Sequence, residues 1–245
     1  MTEKLDFLEQ HGFAGIEPSG RGLSERVVEY QDALRNRNIK VSAVCAGFHG
    51  VLISEDPTKR KEALSSIKDI LGAAAALNAT GMIVVPAFND QTTLGNKEAR
   101  EILIPEIKEL GDFAHEKGTR LLLEPLNRRE AFFLRQVSDA AAMCRDAASP
   151  GAAVMGDFWH MTWEETSDMG AIISAGPYLH HMHIASRKRR KMPGEDEGDN
   201  YVAGLRGLKI IGYQDYISFE CGSVGEKQVT LPAAERLIRE QWQLA

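Results

Sequence analysis

Short, almost unbroken apolar runs alternate with longer amphipathic stretches along the whole chain, and few folds tolerate that pattern. The runs are AGIEP (14–18), VSAVCAG (41–47), GMIVVPAF (81–88), RLLLEPL (120–126), AAVMGDF (152–158), LHHMHIAS (179–186) and YISFECG (216–222). Between and after them lie periodic segments at 22–37, 57–78, 97–117, 136–148, 165–175, 201–211 and 229–243. The second of these sets Ala63, Leu64, Ile67, Ile70 and Leu71 at three- and four-residue spacing, the stripe of a helix. Strands that are apolar throughout, rather than at every other position, suit a parallel sheet covered on both faces. Alternation of this kind predicts a doubly wound sheet or a (β/α)8 barrel. No Pro/Ser-rich linker divides the chain, so a single domain over residues 1–245 is expected.

Two segments share one plan. KLDFLEQHGFAGIEP (4–18) and LRGLKIIGYQDYISFE (205–220) each read as a helix ended by glycine (Gly12, Gly212), an aromatic, then a strand finishing in glutamate. Glycine adopts the left-handed conformation past a helix end without a Cβ clash. The first segment begins with a helix, so the count is seven strands rather than eight. A barrel with a gap between the 216–222 and 14–18 strands is therefore expected. A start further upstream, a covering partner chain or a distorted barrel would each account for it. Water, the C-terminal segment or another subunit would have to satisfy the open edges.

Four consecutive strands end in chemistry. Glu124, Asp157, His183 and Glu220 stand at the C-terminal ends of the fourth to seventh runs. In parallel α/β folds that end carries the active site. Neighbouring strands lie about 4.8 Å apart, so inward side chains converge. Three carboxylates so placed repel one another, and a divalent cation removes the conflict. Two Glu, one Asp and one His make a mixed oxygen/nitrogen site for Mn²⁺, Mg²⁺, Co²⁺ or Zn²⁺.

Composition narrows the partners. A net charge of −6 offers no basic field for nucleic acid. Three scattered cysteines, Cys45, Cys144 and Cys221, argue for a reducing cytoplasm and against a disulfide framework. No run approaches the roughly 20 apolar residues of a membrane span, and the first residues form no secretory leader. His180 should face away from His181 and His183, because side chains alternate along a strand. His181 is a candidate hydrogen-bond partner behind the ligands. Glu17, ending GIEP, lines the pocket or pairs with a neighbouring strand end. The run RKRRK (187–191) reads as a solvated loop, or as a grip for a substrate phosphate or carboxylate.

Through EPLNRRE (124–130), GDFWHM (156–161), HMHIASRKR (181–189) and LKIIGYQDYISFECG (208–222), nearly the whole chain resembles one superfamily. It is the xylose isomerase-like TIM barrel, the group of sugar phosphate isomerases/epimerases and AP endonuclease family 2. The resemblance implies a (β/α)8 barrel, here lacking its first strand. It implies Glu124, Asp157, His183 and Glu220 as ligands of one divalent ion, and Glu124 and Glu220 as the catalytic acid/base pair. His160, three residues past Asp157, and Glu130 would contact substrate, as would Arg189, six residues after the metal-binding His. The endonuclease IV branch needs histidines on the third and fourth barrel strands and a D-x-H motif after the seventh. His49 could serve on the third, but the fourth ends VVPAF and no D-x-H follows Arg189, so DNA repair is not expected. The implied reaction is proton transfer beside a carbonyl, through a metal-stabilised enediolate of a sugar or sugar phosphate. It would be a ketose epimerisation or an aldose–ketose isomerisation. An inosose-type dehydratase shares the same ligands, and a non-catalytic sugar-binding barrel is the reading outside enzymology. Dimers are common among similar barrels, so a homodimer is in view.

Overall fold

Residues 1–245 are described by a computed structural model. Each apolar run yields a strand: β1 (Gly15–Ile16), β2 (Lys40–Val41), β3 (Val44–Cys45), β4 (Met82–Val84), β5 (Leu121–Leu123), β6 (Ala152–Asp157), β7 (Leu179–Ile184) and β8 (Ile217–Phe219). The periodic segments become α1 (Thr2–Gln10), α2 (Val27–Leu34), α3 (Pro57–Ala76), α4 (Asn96–Lys117), α5 (Val137–Ala147), α7 (Asp168–Ala175), α8 (Val202–Ile210) and α9 (Lys227–Leu244). One further helix, α6 (Phe158–Glu164), follows β6 directly. It has seven residues, too few for its periodicity to stand out in the sequence.

Local chemistry sets the boundaries. Asp56 accepts from Thr58 N at 2.8 Å ahead of Pro57, which is what starts α3. The α3 stripe is buried at Ala63, Ile67, Ile70 and Leu71. Gly118, at φ 80°, ends α4 in the left-handed conformation. All strand pairs are parallel, so each helix returns the chain across the outside of the sheet. Leu121 and Leu123 belong to the large cluster between sheet and helices. Leu122 belongs instead to a small inner cluster with Ala43, Ile83, Ala153 and Met155. Burying each leucine contributes about 1.5–3 kcal/mol. The inner cluster forms the floor on which the strand-end residues stand.

Strands β2 and β3 are two parts of one run, interrupted at Ser42–Ala43, so the sheet has seven strand positions. β2 pairs with β1, β3 pairs with β4, and the remaining strands follow in order to β8. No strand lies between β8 and β1, and the two are not hydrogen-bonded neighbours. The gap expected from the strand count therefore lies where the sequence placed it. Side chains bridge it. Phe13 and Phe219 meet edge to face at 5.7 Å, and Ser42 Oγ lies 3.3 Å from Ser218 Oγ. The Tyr216 ring packs so close to Gly15 that a Cβ there would stand 3.2 Å from it. Arg239 of α9 donates to Gly12 O at 3.2 Å, so the C-terminal helix covers part of this edge. No helix is long and apolar enough to cross a membrane.

Candidate metal centre

Glu124, Asp157, His183 and Glu220 reach one point at the C-terminal mouth of the sheet, each with a ligand-capable atom within 4.8 Å of the others. Register accounts for much of this. β6 and β7 align Asp157 directly with His183, and β7 and β8 align His183 with Ser218, two residues before Glu220. Glu124 follows β5 immediately, its amide donating to Val84 O at 3.0 Å.

Asp157 serves two elements at once. Its Oδ1 accepts from Trp159 N at 2.8 Å and caps α6, leaving Oδ2 toward the cluster. His160 sits one turn into the same helix, with Nε2 3.6 Å from Asp157 Oδ2. The His160 Nδ1 accepts from the Asn127 amide at 3.0 Å and lies 2.8 Å from Asn127 Nδ2. Its proton is therefore on Nε2, which is buried and has no partner. Burial and the nearby Arg190 cation push His160 down to about 3, so the ring is neutral. Asn127 Nδ2 also donates to Glu130 Oε1 at 3.0 Å, which joins Glu130 to His160 through one amide.

Behind the cluster, Glu17 binds two imidazoles. Its Oε1 accepts from His183 Nε2 at 2.9 Å and its Oε2 from His181 Nε2 at 2.8 Å. Burial alone would raise the Glu17 carboxyl, but the charge and hydrogen bonds of the two histidines hold it well below the usual range. His183 Nδ1 then faces Glu220 at 3.3 Å and Glu124 at 3.9 Å, fully buried and without a hydrogen bond. His180, as alternation requires, faces the other way and pairs with Asp215 at 2.8 Å.

These groups cannot all carry their ordinary charges together. Burial, reinforced by Glu220 and Asp157, pushes Glu124 up to about 8. Burial likewise lifts Asp157 to about 6. Burial disfavours a charged His183, yet the surrounding carboxylates raise it well above its ordinary value. Glu220 is lowered against its burial by His183 and Arg190. The set draws positive charge, and an orphaned imidazole nitrogen beside three carboxylates is a donor set that fits a divalent cation.

The basic run divides by direction. Arg190, not Arg189, turns into the site: its Nη2 donates to Glu220 and, at 3.5 Å, to Asp157 Oδ2, and its guanidinium lies 4.6 Å above the Trp159 ring. Arg189 is half exposed and pairs outward with Asp196 and the Glu195 carbonyl. The reason is the loop's path. It closes on itself through Ser186 N to Lys191 O at 2.8 Å, and Arg190 takes a left-handed φ of 54°. Counting six residues from His183 assumes a regular path, which this loop lacks. Glu17 takes the second of its two expected roles, pairing with a strand end through His181 and His183, whereas no spacing singles out Arg190. The signal available for Arg190 was only its membership of the basic run.

Among known proteins, residues 5–242 match the family described as the xylose isomerase-like TIM barrel. The chain is 27% identical to 3-dehydro-D-guloside 4-epimerase of Escherichia coli (strain K12) over 230 residues, 90% of this chain and 86% of that protein. It is 29% identical to a D-psicose 3-epimerase of Enterocloster bolteae over 221 residues, 86% and 73% of the two chains. Its fold matches a solved apo 3-keto-D-glucoside 4-epimerase from E. coli with a TM-score of 0.88 at 25% identity, covering 98% and 94%. The D-psicose 3-epimerase of Clostridium cellulolyticum H10, solved with D-tagatose, shares the fold at a TM-score of 0.87 and 23% identity, covering 98% and 93%. Both of these sequence relatives are sugar epimerases.

Proposed function

Given that the chain belongs to the xylose isomerase-like TIM-barrel family, we propose that it is a metal-dependent sugar epimerase. On this reading it inverts a hydroxyl-bearing carbon next to a ketone. The observation that carries the proposal is the convergence of Glu124 and Glu220 with Asp157 and His183 on one buried point. A divalent ion held by these four residues would supply Lewis acidity to the carbonyl oxygen and stabilise the charge that develops there. Mn²⁺, Mg²⁺, Co²⁺ and Zn²⁺ all suit such a ligand set.

The chain's own residues handle the proton. One glutamate of the pair, ionised, takes the proton from the carbon beside the ketone. The C–H electrons pass into the carbonyl and give the enediolate. The other glutamate, protonated, returns a proton to the same carbon from the opposite face, and the ketone re-forms. His160 presents Nε2–H as a neutral donor to a substrate oxygen, fixed by Asn127. Arg190 supplies the cationic grip on the mouth side, and Glu130 supports the Asn127–His160 pair.

A 4-epimerase of a 3-dehydro sugar and a 3-epimerase of a ketose each invert a carbon beside a carbonyl, so the relatives support the same operation. Ketohexoses, ketose phosphates, 3-keto-glycosides and inososes incubated with the metal-loaded protein in D₂O provide the test. Deuterium entering one carbon beside the ketone, with appearance of the epimer, is expected. Deuterium with loss of water would identify a dehydratase. A protein that binds metal yet exchanges no proton on any of these sugars would be a binding barrel, and the proposal would fall.

A further inference from the structure

The first strand and the seventh are not neighbours in the sheet, yet a carboxylate from one holds two imidazoles of the other. Glu17 follows β1, while His181 and His183 lie on β7, with β8 between them in the strand order and no backbone pairing from β8 to β1. The Glu17 side chain is 12% exposed and both imidazoles are fully enclosed. The two rings stand edge to face at 5.2 Å, each turned with Nε2 toward the same carboxylate.

We propose that Glu17 is a positioning residue for the metal centre: by accepting from Nε2 of His183 it sets the tautomer that leaves Nδ1 free for the cation. This inference rests on the metal-binding reading above. A carboxylate is acceptor only, so at 2.9 Å the facing His183 nitrogen must carry a proton. In a neutral ring the other nitrogen, Nδ1, then keeps its lone pair. Nδ1 is the atom that looks at Glu220 and Glu124. The opposite tautomer would set an imidazole lone pair against a carboxylate oxygen and turn an N–H toward the cation position. His181 binds the second oxygen of Glu17, which keeps the carboxylate from rotating away. A carboxylate behind a ligating imidazole also makes it a stronger donor.

Glu17, His181 and His183 are close enough to suggest a second cation site of their own. Direct contacts of 2.8 and 2.9 Å are hydrogen bonds, however, and leave no room for an ion between the partners. The arrangement also gives the seam between β8 and β1 a functional weight. A displacement of β1 would move Glu17 and release the orientation of His183.

Two measurements on the full chain test the proposal. The first is the Zn²⁺ and Mn²⁺ affinity of the wild type and of Glu17→Gln at one fixed pH, by chelator competition. A weakening of about 10–100-fold in the variant is expected. Equal affinity in a folded variant would overturn the role of Glu17 while leaving the metal site intact. Absence of any divalent binding by the wild type would overturn the metal reading and this inference together. The second measurement is long-range ¹H–¹⁵N correlation of histidine-labelled, Zn²⁺-loaded wild type, and it stands even where the variant fails to fold. His183 protonated at Nε2 is expected, with Nδ1 shifted by the ion. His183 protonated at Nδ1 would refute the assignment, an outcome that a merely structural cross-link would not exclude.

Discussion

At the scale of single residues, the centre is built from side chains that each satisfy two partners. Asp157 caps α6 with one oxygen and faces the cluster with the other. Arg190 neutralises Glu220 and Asp157 while stacking on Trp159. Such sharing makes isosteric changes informative. Glu220→Gln keeps the shape and removes one of the two proposed proton carriers, so turnover at saturating metal should fall by about 10²–10⁴-fold. Steady-state rates of the variant with its metal content measured alongside will check this. Arg190→Ala removes a charged donor from the site and should lower kcat/KM by roughly 10–100-fold, the loss of one charge-assisted hydrogen bond of about 1.5–3 kcal/mol. Arg189→Ala, which opens the contacts with Asp196 and the Glu195 carbonyl that point away from the site, should stay within about twofold of wild type. The reverse ranking of the two arginine variants would return the substrate grip to Arg189.

At the scale of elements, α6 is the piece that aligns the site. It carries His160 and starts from Asp157, and other elements hold it in place. Arg187, the first residue of the basic run, donates to Phe158 O at 3.1 Å and to Thr162 Oγ1 at 3.0 Å, and also pairs with Asp168. That residue is thus a brace for α6 and not part of a solvated patch. From the other side α8 presses against Phe158 through Gly204, where a Cβ would stand 2.2 Å from the ring. Phe158 is fully buried. Gly204→Ala should therefore cost about 1–3 kcal/mol in overpacking. By shifting α6 it should also reduce turnover, although it lies outside the site. Urea midpoints and kcat measured on the same preparation will show whether the two losses travel together.

Over the whole molecule, the buried charges tie stability to pH. Glu124 and Asp157 have folded-state values raised to about 8 and about 6, above the ordinary 4.5 and 3.8. A raised carboxyl favours the folded state while protonated, and that contribution is lost as pH climbs from about 4 through about 8. His183, also raised, contributes in the same direction: its stabilisation is present in acid and lost as pH passes its folded value. Glu17 and Glu220, both lowered, act oppositely and withdraw stability only as pH falls below about 4.5. His160, lowered to about 3, and His181, also lowered, act oppositely below the ordinary histidine value of 6.5. Protein treated with a chelator should therefore melt at progressively lower temperature between pH 6.5 and pH 8.5. A saturating divalent ion needs its ligands deprotonated, so it should flatten or reverse that slope. Thermal melts at several pH values with EDTA and with Mn²⁺ will decide it, and parallel slopes would contradict the account.

The strand–helix alternation, the order of the strands and the four strand-end residues were all legible in the sequence. Each rests on period and position within a few residues: an unbroken apolar run marks a covered parallel strand, and its last residue marks the C-terminal mouth. The gap was legible too, because it follows from counting strands. Helix α6 was not, since seven residues after a strand carry too short a period to register. The choice of Arg190 over Arg189 depended on a left-handed turn and an outward pull from Asp196, neither encoded in spacing. The Glu17 clamp joins positions 164 and 166 residues apart, across two strands that share no backbone bond. Contacts of that range exist only once the sheet has curled and every register is set, so tertiary structure alone decided which atom of His183 faces the centre.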